Sequence, residues 1–287
     1  EMRIRQWYKN AIVFIALIFS GNALNYDMYP QIFLAFGAFC LVSSATYIIN
    51  DIIDRKKDLK HPSKRNRPIA SGRIGVIPAA AIAIFLYSLG IIPAVLFLSI
   101  ATAWMLVAYV ATSLLYDFYF RNIPIVDVVV ISFGFVYRAL AGATAISVKA
   151  SPWLVMVTFL LALFLAIAKR RHELSLLKED AAKHRMILGT YSVQLLDSML
   201  LVTSASVIMS YAIYTSLSAY PYMMITNAFV FVGVFRYFQM TYVNKFIGEA
   251  EMIFKDRLML ADIALWAVST VSIIAGLPEK IAAALGA

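Results

Sequence analysis

Nine apolar stretches, each close to the length of a membrane-spanning helix, constrain this chain more than any other feature. They lie at about residues 11–26, 32–50, 76–92, 94–115, 124–147, 152–168, 193–216, 222–240 and 260–277. A helix needs about 20 apolar residues to cross the hydrocarbon core of a bilayer. The chain is 62% hydrophobic and 14% charged, whereas soluble domains carry roughly 25% charged residues. The sequence therefore predicts an all-α, polytopic membrane protein with nine transmembrane helices.

The distribution of basic residues predicts how these helices are oriented. All but three of the lysines and arginines lie at the N-terminus or around the loops that follow even-numbered spans. The exceptions are Arg138, inside the fifth span, and Lys149 and Lys280 on the opposite side. Positive residues accumulate on the cytoplasmic side of membrane proteins. We therefore expect the N-terminus and the charged loops to be cytoplasmic, in an inner (cytoplasmic) membrane. No Pro-, Gly- or Ser-rich linker is apparent, which predicts a single transmembrane domain over residues 1–287.

The second span ends in three carboxylates at helical spacing. Asp51, Asp54 and Asp58 are three and four residues apart, so a continuing helix would place them on one face. Like charges on adjacent turns repel each other, and Mg²⁺ bridging to a diphosphate is a natural way to neutralise them. The pattern predicts that these three residues hold Mg²⁺ and take part in catalysis.

Three basic residues follow the acids in the same loop. Lys64, Arg65 and Arg67 come within nine residues of Asp58. A metal–phosphate site needs this combination, because acids hold the metal and cations neutralise the remaining phosphate charge. The planar fork of arginine also matches two phosphate oxygens at once. The alternative is a basic cytoplasmic loop in which the acids only balance the bases.

Two further basic segments allow both a structural and a functional interpretation. Lys169, Arg170 and Glu173 end the sixth span as helical neighbours, either as a membrane anchor with one weak ion pair or as substrate contacts. Arg5 and Lys9 precede the first span, either as an interfacial anchor or as a phosphate-binding edge of the same cytoplasmic mouth.

Arg138 is the one basic residue well inside a predicted span. A central arginine costs at least about 2.5–3.5 kcal/mol in a membrane helix, so we expect it to line a cavity as a functional residue. Asp127 lies on the same span, but a separation of eleven residues forbids direct contact along one helix.

The chain resembles the UbiA superfamily of intramembrane prenyltransferases. Its closest resemblance is to the polyprenyl-phosphate phosphoribosyltransferase branch, typified by decaprenyl-phosphate phosphoribosyltransferase. The matching segments are Arg5-Gln6-Trp7-x-Lys9-Asn10, Asn50-Asp51-x-x-Asp54-x-x-x-Asp58, His61-Pro62-x-Lys64-Arg65-x-Arg67-Pro68-Ile69-Ala70, Arg138-Ala139-x-Ala141-Gly142, Lys169-Arg170 with Glu173, and Asp256-Arg257.

The resemblance implies a helical bundle around a central cavity with a cytoplasmic polar cap, and Mg²⁺ held by the acidic motif with Asn50 assisting. One departure separates the branches. Most members that use prenyl diphosphates have a second Asp-x-x-x-Asp motif after the sixth span, whereas here Glu173 is followed at +4 by Leu177. This difference agrees with the phosphoribosyl branch, in which the corresponding segment resembles Lys-Arg-x-x-Glu.

The resemblance therefore implies Mg²⁺-dependent transfer of a 5-phosphoribosyl group from phosphoribosyl pyrophosphate to a polyprenyl phosphate. The expected substrate-binding residues are Asn50, Lys64, Arg65, Arg67, Arg138, Lys169, Arg170, Glu173, Arg5 and Lys9. The alternative enzyme moves an isoprenyl group from a prenyl diphosphate to an aromatic or lipid acceptor. A transporter would carry its acids near the bilayer midplane, whereas here they lie at span ends. Membrane lipids are expected partners and nucleic acid is not, while the oligomeric state and the lipid chain length stay open.

Overall fold

The computed structural model describes residues 2–61, 64–177, 186–243, 255–278 and 280, and all regular secondary structure in these ranges is helical. The α-helices are α1 (Ile15–Phe19), α2 (Tyr29–Ile53), α3 (Arg55–Asp58), α4 (Val76–Phe97), α5 (Ile100–Phe118), α6 (Val126–Ala145), α7 (Pro152–Leu177), α8 (Val193–Ser216), α9 (Asn227–Tyr242) and α10 (Arg257–Ile274). Short 3-10 helices connect several of them, and a longer one, Ile4–Phe14, begins the chain.

Eight helices in the described ranges are long and apolar enough to cross a membrane. They correspond to the second to ninth predicted spans, and they confirm an all-α integral membrane protein. The first predicted span, residues 11–26, is not among them. Its residues divide between the 3-10 helix Ile4–Phe14, the short helix α1 and the turn that follows. The count of nine spans, the cytoplasmic orientation, the central cavity and the polar cap stay predictions.

The N-terminal 3-10 helix is 11 residues long, whereas most such helices run for only about 3–4 residues. A 3-10 helix has three residues per turn, so positions three apart share one face. Trp7, Asn10 and Val13 have this spacing. Trp7 donates to Ser44 Oγ at 3.1 Å, while Asn10 and Val13 are 1% and 0% exposed. Trp7 and Asn10 therefore hold this face of the 3-10 helix against α2.

The first compact unit comprises Glu1–Phe120 and Phe133–Ala150. Within it, α2 packs against α4, α5 and the N-terminal 3-10 helix. The fully buried side chains at its centre include Phe39, Val42 and Leu106.

The second compact unit comprises Arg121–Ser132 and Ser151–Ala287. Here α7 packs against α8, and α9 packs against α8 and α10. Its apolar core is formed by Phe164, Ile167 and Leu196, among others. The boundary between the units falls within α6, and the prediction of a single domain stays a prediction.

Candidate functional site

The acidic motif lies where α2 ends and not on an unbroken helix. α2 stops at Ile53, and Asp54 caps it with a ψ of 1°. The Asp54 carbonyl then accepts hydrogen bonds from the backbone N–H groups of Lys57 and Asp58, at 2.9 and 2.8 Å, which starts α3. The chain therefore turns within the motif, and the simple helical spacing does not decide which acids meet.

Two of the three acids converge on one arginine. Arg67 Nη1 donates to Asp51 Oδ1 at 3.0 Å and to Asp58 Oδ2 at 2.7 Å. Asp51 is 1% exposed and Asp58 is 4% exposed, whereas Asp54 is half-buried at the helix break. Within the described ranges, no three Asp, Glu, His or Cys side chains form a group that could hold a metal ion. The structure thus brings together a pair of carboxylates around a cation, with the third acid beside them in sequence.

Arg3 is a second cation at this site, and the sequence analysis did not select it. Its Nη2 donates to Asp51 Oδ1 at 2.6 Å, and its guanidinium lies over the Tyr47 ring at 4.7 Å. Its backbone is left-handed, with φ 46°, a conformation that costs a non-glycine residue about 1–2 kcal/mol. The sequence feature that could have indicated Arg3 is its position as a third N-terminal cation beside Arg5 and Lys9. We call Arg3, Asp51, Asp58 and Arg67 the acidic cluster.

The donor chemistry of the acidic cluster fits Mg²⁺. Proteins usually hold this ion with one or two carboxylates, and substrate phosphates and water complete its shell. Asp51 and Asp58 supply two buried carboxylates that already surround one positive group. Asn50 lies next to them, and its Nδ2 donates to Asp117 Oδ1 at 2.6 Å. Asp117, which the sequence analysis also missed, therefore orients the Asn50 amide.

Four other predicted cations of this unit are more exposed than Asp51 and Asp58. Lys64 and Arg65 are exposed, and the Lys64 backbone N–H donates to His61 Nδ1 at 3.4 Å. Arg5 is exposed as well. Lys9 is half-buried, and its Nζ donates to Gln6 Oε1 at 3.2 Å. Their roles in substrate binding stay predictions.

Arg138 is buried in a network of uncharged groups. It donates to Asn10 Oδ1 at 2.7 Å, to the Gly134 carbonyl at 2.6 Å and to the Tyr109 hydroxyl at 3.3 Å. Its guanidinium also faces the Tyr109 ring at 4.6 Å. These contacts tie the N-terminal 3-10 helix to α5 and α6. A structural role is therefore clear, and a role in substrate binding stays a prediction.

Arg170 lies at the centre of a hydrogen-bonded network in the second unit. Its Nε donates to Asp127 Oδ2 at 2.7 Å, and its Nη1 donates to Glu173 Oε2 at 2.9 Å. Arg170 is 3% exposed and Asp127 is 0% exposed. The expected helical ion pair between Arg170 and Glu173 is present, while Lys169 is exposed. Asp127, considered above in connection with Arg138, thus pairs with Arg170.

Tyr191 completes this network outside the membrane-spanning segments. Its hydroxyl donates to Asp127 Oδ1 at 2.9 Å and accepts from the Ile125 backbone N–H at 2.6 Å. Ile125 has φ 68°, which is rare for a β-branched residue, and this hydrogen bond holds it in place. Burial and the neighbouring Asp127 carboxylate raise the pKa of Tyr191 to about 12. We call Asp127, Arg170, Glu173 and Tyr191 the buried network.

A sequence model of the UbiA prenyltransferase family matches residues 11–247, and the chain belongs to this family. It is 34% identical over 218 residues to the decaprenyl-phosphate phosphoribosyltransferase of Corynebacterium glutamicum, a match that covers 74% of this chain and 65% of that protein. It is also 34% identical over 225 residues to the enzyme of the same name from Mycolicibacterium smegmatis, with coverage of 74% and 68%.

Solved structures show the same fold. A UbiA homolog from Archaeoglobus fulgidus bound to DMAPP and Mg²⁺ superimposes with a TM-score of 0.72 at 15% identity, over 96% of this chain and 99% of that one. A digeranylgeranylglyceryl phosphate synthase structure gives a TM-score of 0.64 at 17% identity, over 95% of each chain.

Proposed function

We propose that this protein transfers a 5-phosphoribosyl group from phosphoribosyl pyrophosphate to a polyprenyl phosphate and releases pyrophosphate. The observation that carries the proposal is the acidic cluster, in which two buried carboxylates surround one cation at 2.7 and 3.0 Å. Such a pair suits the binding of a metal–diphosphate group. The choice of donor and acceptor is supported by relatives named decaprenyl-phosphate phosphoribosyltransferase.

Asp51 and Asp58 would hold Mg²⁺, with Asp54 and Asn50 as the further ligands. When it is bound, the ion stabilises the negative charge that develops on the pyrophosphate as it leaves. Because the Asn50 amide is oriented by Asp117, we propose that Asp117 acts on the metal site only through Asn50.

Arg67, Lys64 and Arg65 would bind the donor phosphates. Arg67 already lies against both acids, and its planar guanidinium suits two phosphate oxygens. The exposed positions of Lys64 and Arg65 leave their charged groups accessible to a soluble donor. Fixed cations around the leaving group stabilise the transition state by position and charge.

The acceptor phosphate is ionised at neutral pH, so its attack on the anomeric carbon needs no strong general base. Either Lys169, an exposed cation, or the edge formed by Arg5 and Lys9 would bind the headgroup of the lipid phosphate. Arg170 has hydrogen bonds to Asp127 and Glu173. We therefore propose that it positions Glu173 and that Glu173 contacts the substrate.

The test uses the purified full chain with Mg²⁺ and a polyprenyl phosphate. Phosphoribosyl pyrophosphate should give pyrophosphate and a phosphoribosylated lipid that mass spectrometry identifies, and Asp54→Asn should strongly reduce this reaction at saturating Mg²⁺. Full activity of Asp54→Asn would exclude its metal role.

The second candidate is prenyl transfer, which the fold shared with a DMAPP-bound homolog favours. The same assay with a prenyl diphosphate and an aromatic or lipid acceptor distinguishes the two reactions. Turnover of the prenyl diphosphate without turnover of phosphoribosyl pyrophosphate would replace the first proposal by the second.

A further inference from the structure

The acidic cluster receives one of its two cations from the start of the chain. Arg3 and Asp51 are 48 residues apart, yet Nη2 and Oδ1 lie at 2.6 Å. Arg67 Nη1 reaches the same Oδ1 at 3.0 Å. One carboxylate oxygen of Asp51, which is 1% exposed, is therefore shared by two guanidinium groups, and Asp58 also pairs with Arg67, at 2.7 Å.

We propose that Arg3 is a positioning residue that exchanges partners during the reaction cycle. Before a divalent ion binds, Arg3 neutralises Asp51. When a metal–diphosphate group arrives, the Arg3 guanidinium leaves the carboxylate and binds the diphosphate. The inference rests on the proposed function only in that the donor carries a diphosphate, a feature that phosphoribosyl pyrophosphate and prenyl diphosphates share.

Charge balance supports this exchange. A buried carboxylate needs a positive partner, and Arg3 and Arg67 provide it. A magnesium ion binds a carboxylate oxygen at about 2.0–2.1 Å, closer than the 2.6 Å that separates this oxygen from Arg3. The ion would be a third cation at an oxygen that two guanidinium groups already share, so one guanidinium is displaced. Arg67 is also held by Asp58 at 2.7 Å, which makes Arg3 the group that leaves. The diphosphate brings new negative charge, which arginine binds well.

The Arg3 guanidinium packs on the face of the Tyr47 ring, along which it can shift. The guanidinium lies 4.7 Å from the Tyr47 ring centroid, one helical turn before Asp51 on α2. The Tyr47 hydroxyl donates to Gln6 Oε1 at 2.8 Å, which fixes the 3-10 helix beside the ring. The Arg3 side chain is 26% exposed. It can therefore shift between the carboxylate and a ligand without movement of the helix that carries it.

The test measures metal binding and diphosphate binding separately in the purified full chain. Mn²⁺ alone is followed by electron paramagnetic resonance, since this ion prefers the same oxygen ligands as Mg²⁺. Inorganic pyrophosphate is then titrated calorimetrically at saturating Mn²⁺. Arg3→Gln removes the competing cation, so its affinity for Mn²⁺ alone should rise several-fold. The same change removes a phosphate contact, so its affinity for pyrophosphate should fall about tenfold.

Arg3→Lys keeps the charge and should lie close to the wild type in both titrations. Lys57→Gln removes an exposed charge from α3 and serves as the control for net charge. A merely structural Arg3 would weaken both ligands together, with a lower melting temperature. That result, or no change in either titration, would overturn the proposal. Neither titration depends on which donor is turned over, so failure of phosphoribosyl transfer would refute the proposed function and leave this inference standing.

Discussion

The acidic cluster of the first unit and the buried network of the second unit combine arginine with carboxylates in opposite ways. In the acidic cluster the acids are buried, while the Arg3 and Arg67 side chains are 26% and 28% exposed. In the buried network both Arg170 and Asp127 are almost completely enclosed. A half-exposed arginine can leave its partner and be solvated by water or by a ligand. An enclosed arginine cannot leave without stranding a charge. The first arrangement therefore suits a binding site, and the second suits a brace.

The largest expected effect comes from breaking the Arg170–Asp127 ion pair, which braces the second unit. Asp127→Asn leaves Arg170 enclosed with a weaker partner, and the loss of one member of a buried ion pair costs about 3–5 kcal/mol. We expect a clearly lower melting temperature of the detergent-solubilised protein. The double variant Asp127→Leu/Arg170→Met, which removes both charges, should recover much of this loss. Unchanged melting of Asp127→Asn would show that the enclosed pair is not a brace.

The next largest effect concerns the acidic cluster, where a substitution should lower activity and leave stability nearly unchanged. Asp58→Asn removes a proposed metal ligand, and we expect the transfer rate to fall by about 100-fold or more. The melting temperature should change little, because Arg67 can turn to solvent. Asp127→Asn is the control, since its main expected effect is a loss of stability. A stability loss in Asp58→Asn as large as in Asp127→Asn would end the distinction between site and brace.

A smaller effect tests whether the N-terminal 3-10 helix must be held in place to deliver Arg3. A Cβ at Gly142 would overlap the Val13 carbonyl oxygen, so Gly142→Ala separates the 3-10 helix from α6. Overpacking of this kind costs about 1–3 kcal/mol, and the affinity for pyrophosphate should fall as well. Gly37→Ala in α2 is the matched control, because its Cβ would meet no atom within 4 Å. Equal melting temperatures of the two variants would contradict the tight packing.

The smallest effect is a pH dependence of the buried network. The folded protein raises the pKa of Tyr191 to about 12 from its ordinary value of 10.0, so the neutral hydroxyl is favoured in the fold. This stabilisation is complete below pH 10 and is lost as the pH rises toward 12. Melting curves of the wild type should therefore fall more steeply above pH 10 than those of Tyr191→Phe. Parallel pH profiles would show that Tyr191 does not contribute in this way.

Periodicity and charge predicted the helices well but could not distinguish the two polar regions. The eight spans from the second onward are long apolar runs, so their number and type follow from local sequence. Both Asp51 and Arg170 lie at the end of such a run. Their partners Arg3 and Asp127 are 48 and 43 residues away in sequence, and no local spacing indicates such pairs.

The structure differs in detail from two local sequence patterns, at the N-terminal 3-10 helix and at the acidic motif. The first predicted span is apolar, but its first residues, up to Phe14, continue a 3-10 helix whose Trp7 and Asn10 side chains pack on α2. The acidic motif looked like one helical face, but α2 ends at Ile53 and the chain turns at Asp54. In both places tertiary packing overrides local periodicity. A contact that forms only in the folded chain decides the outcome.

The three-residue repeat of the N-terminal helix has a consequence for mutational scanning. Tolerance to substitution in residues 4–14 should alternate with a period of three, with minima at Trp7, Asn10 and Val13. In α2, which begins at Tyr29, the period should change to about 3.6. A single-residue insertion between Arg3 and Trp7 would rotate Arg3 by about a third of a turn relative to that face. Such an insertion should therefore be far more harmful than its exposed position suggests.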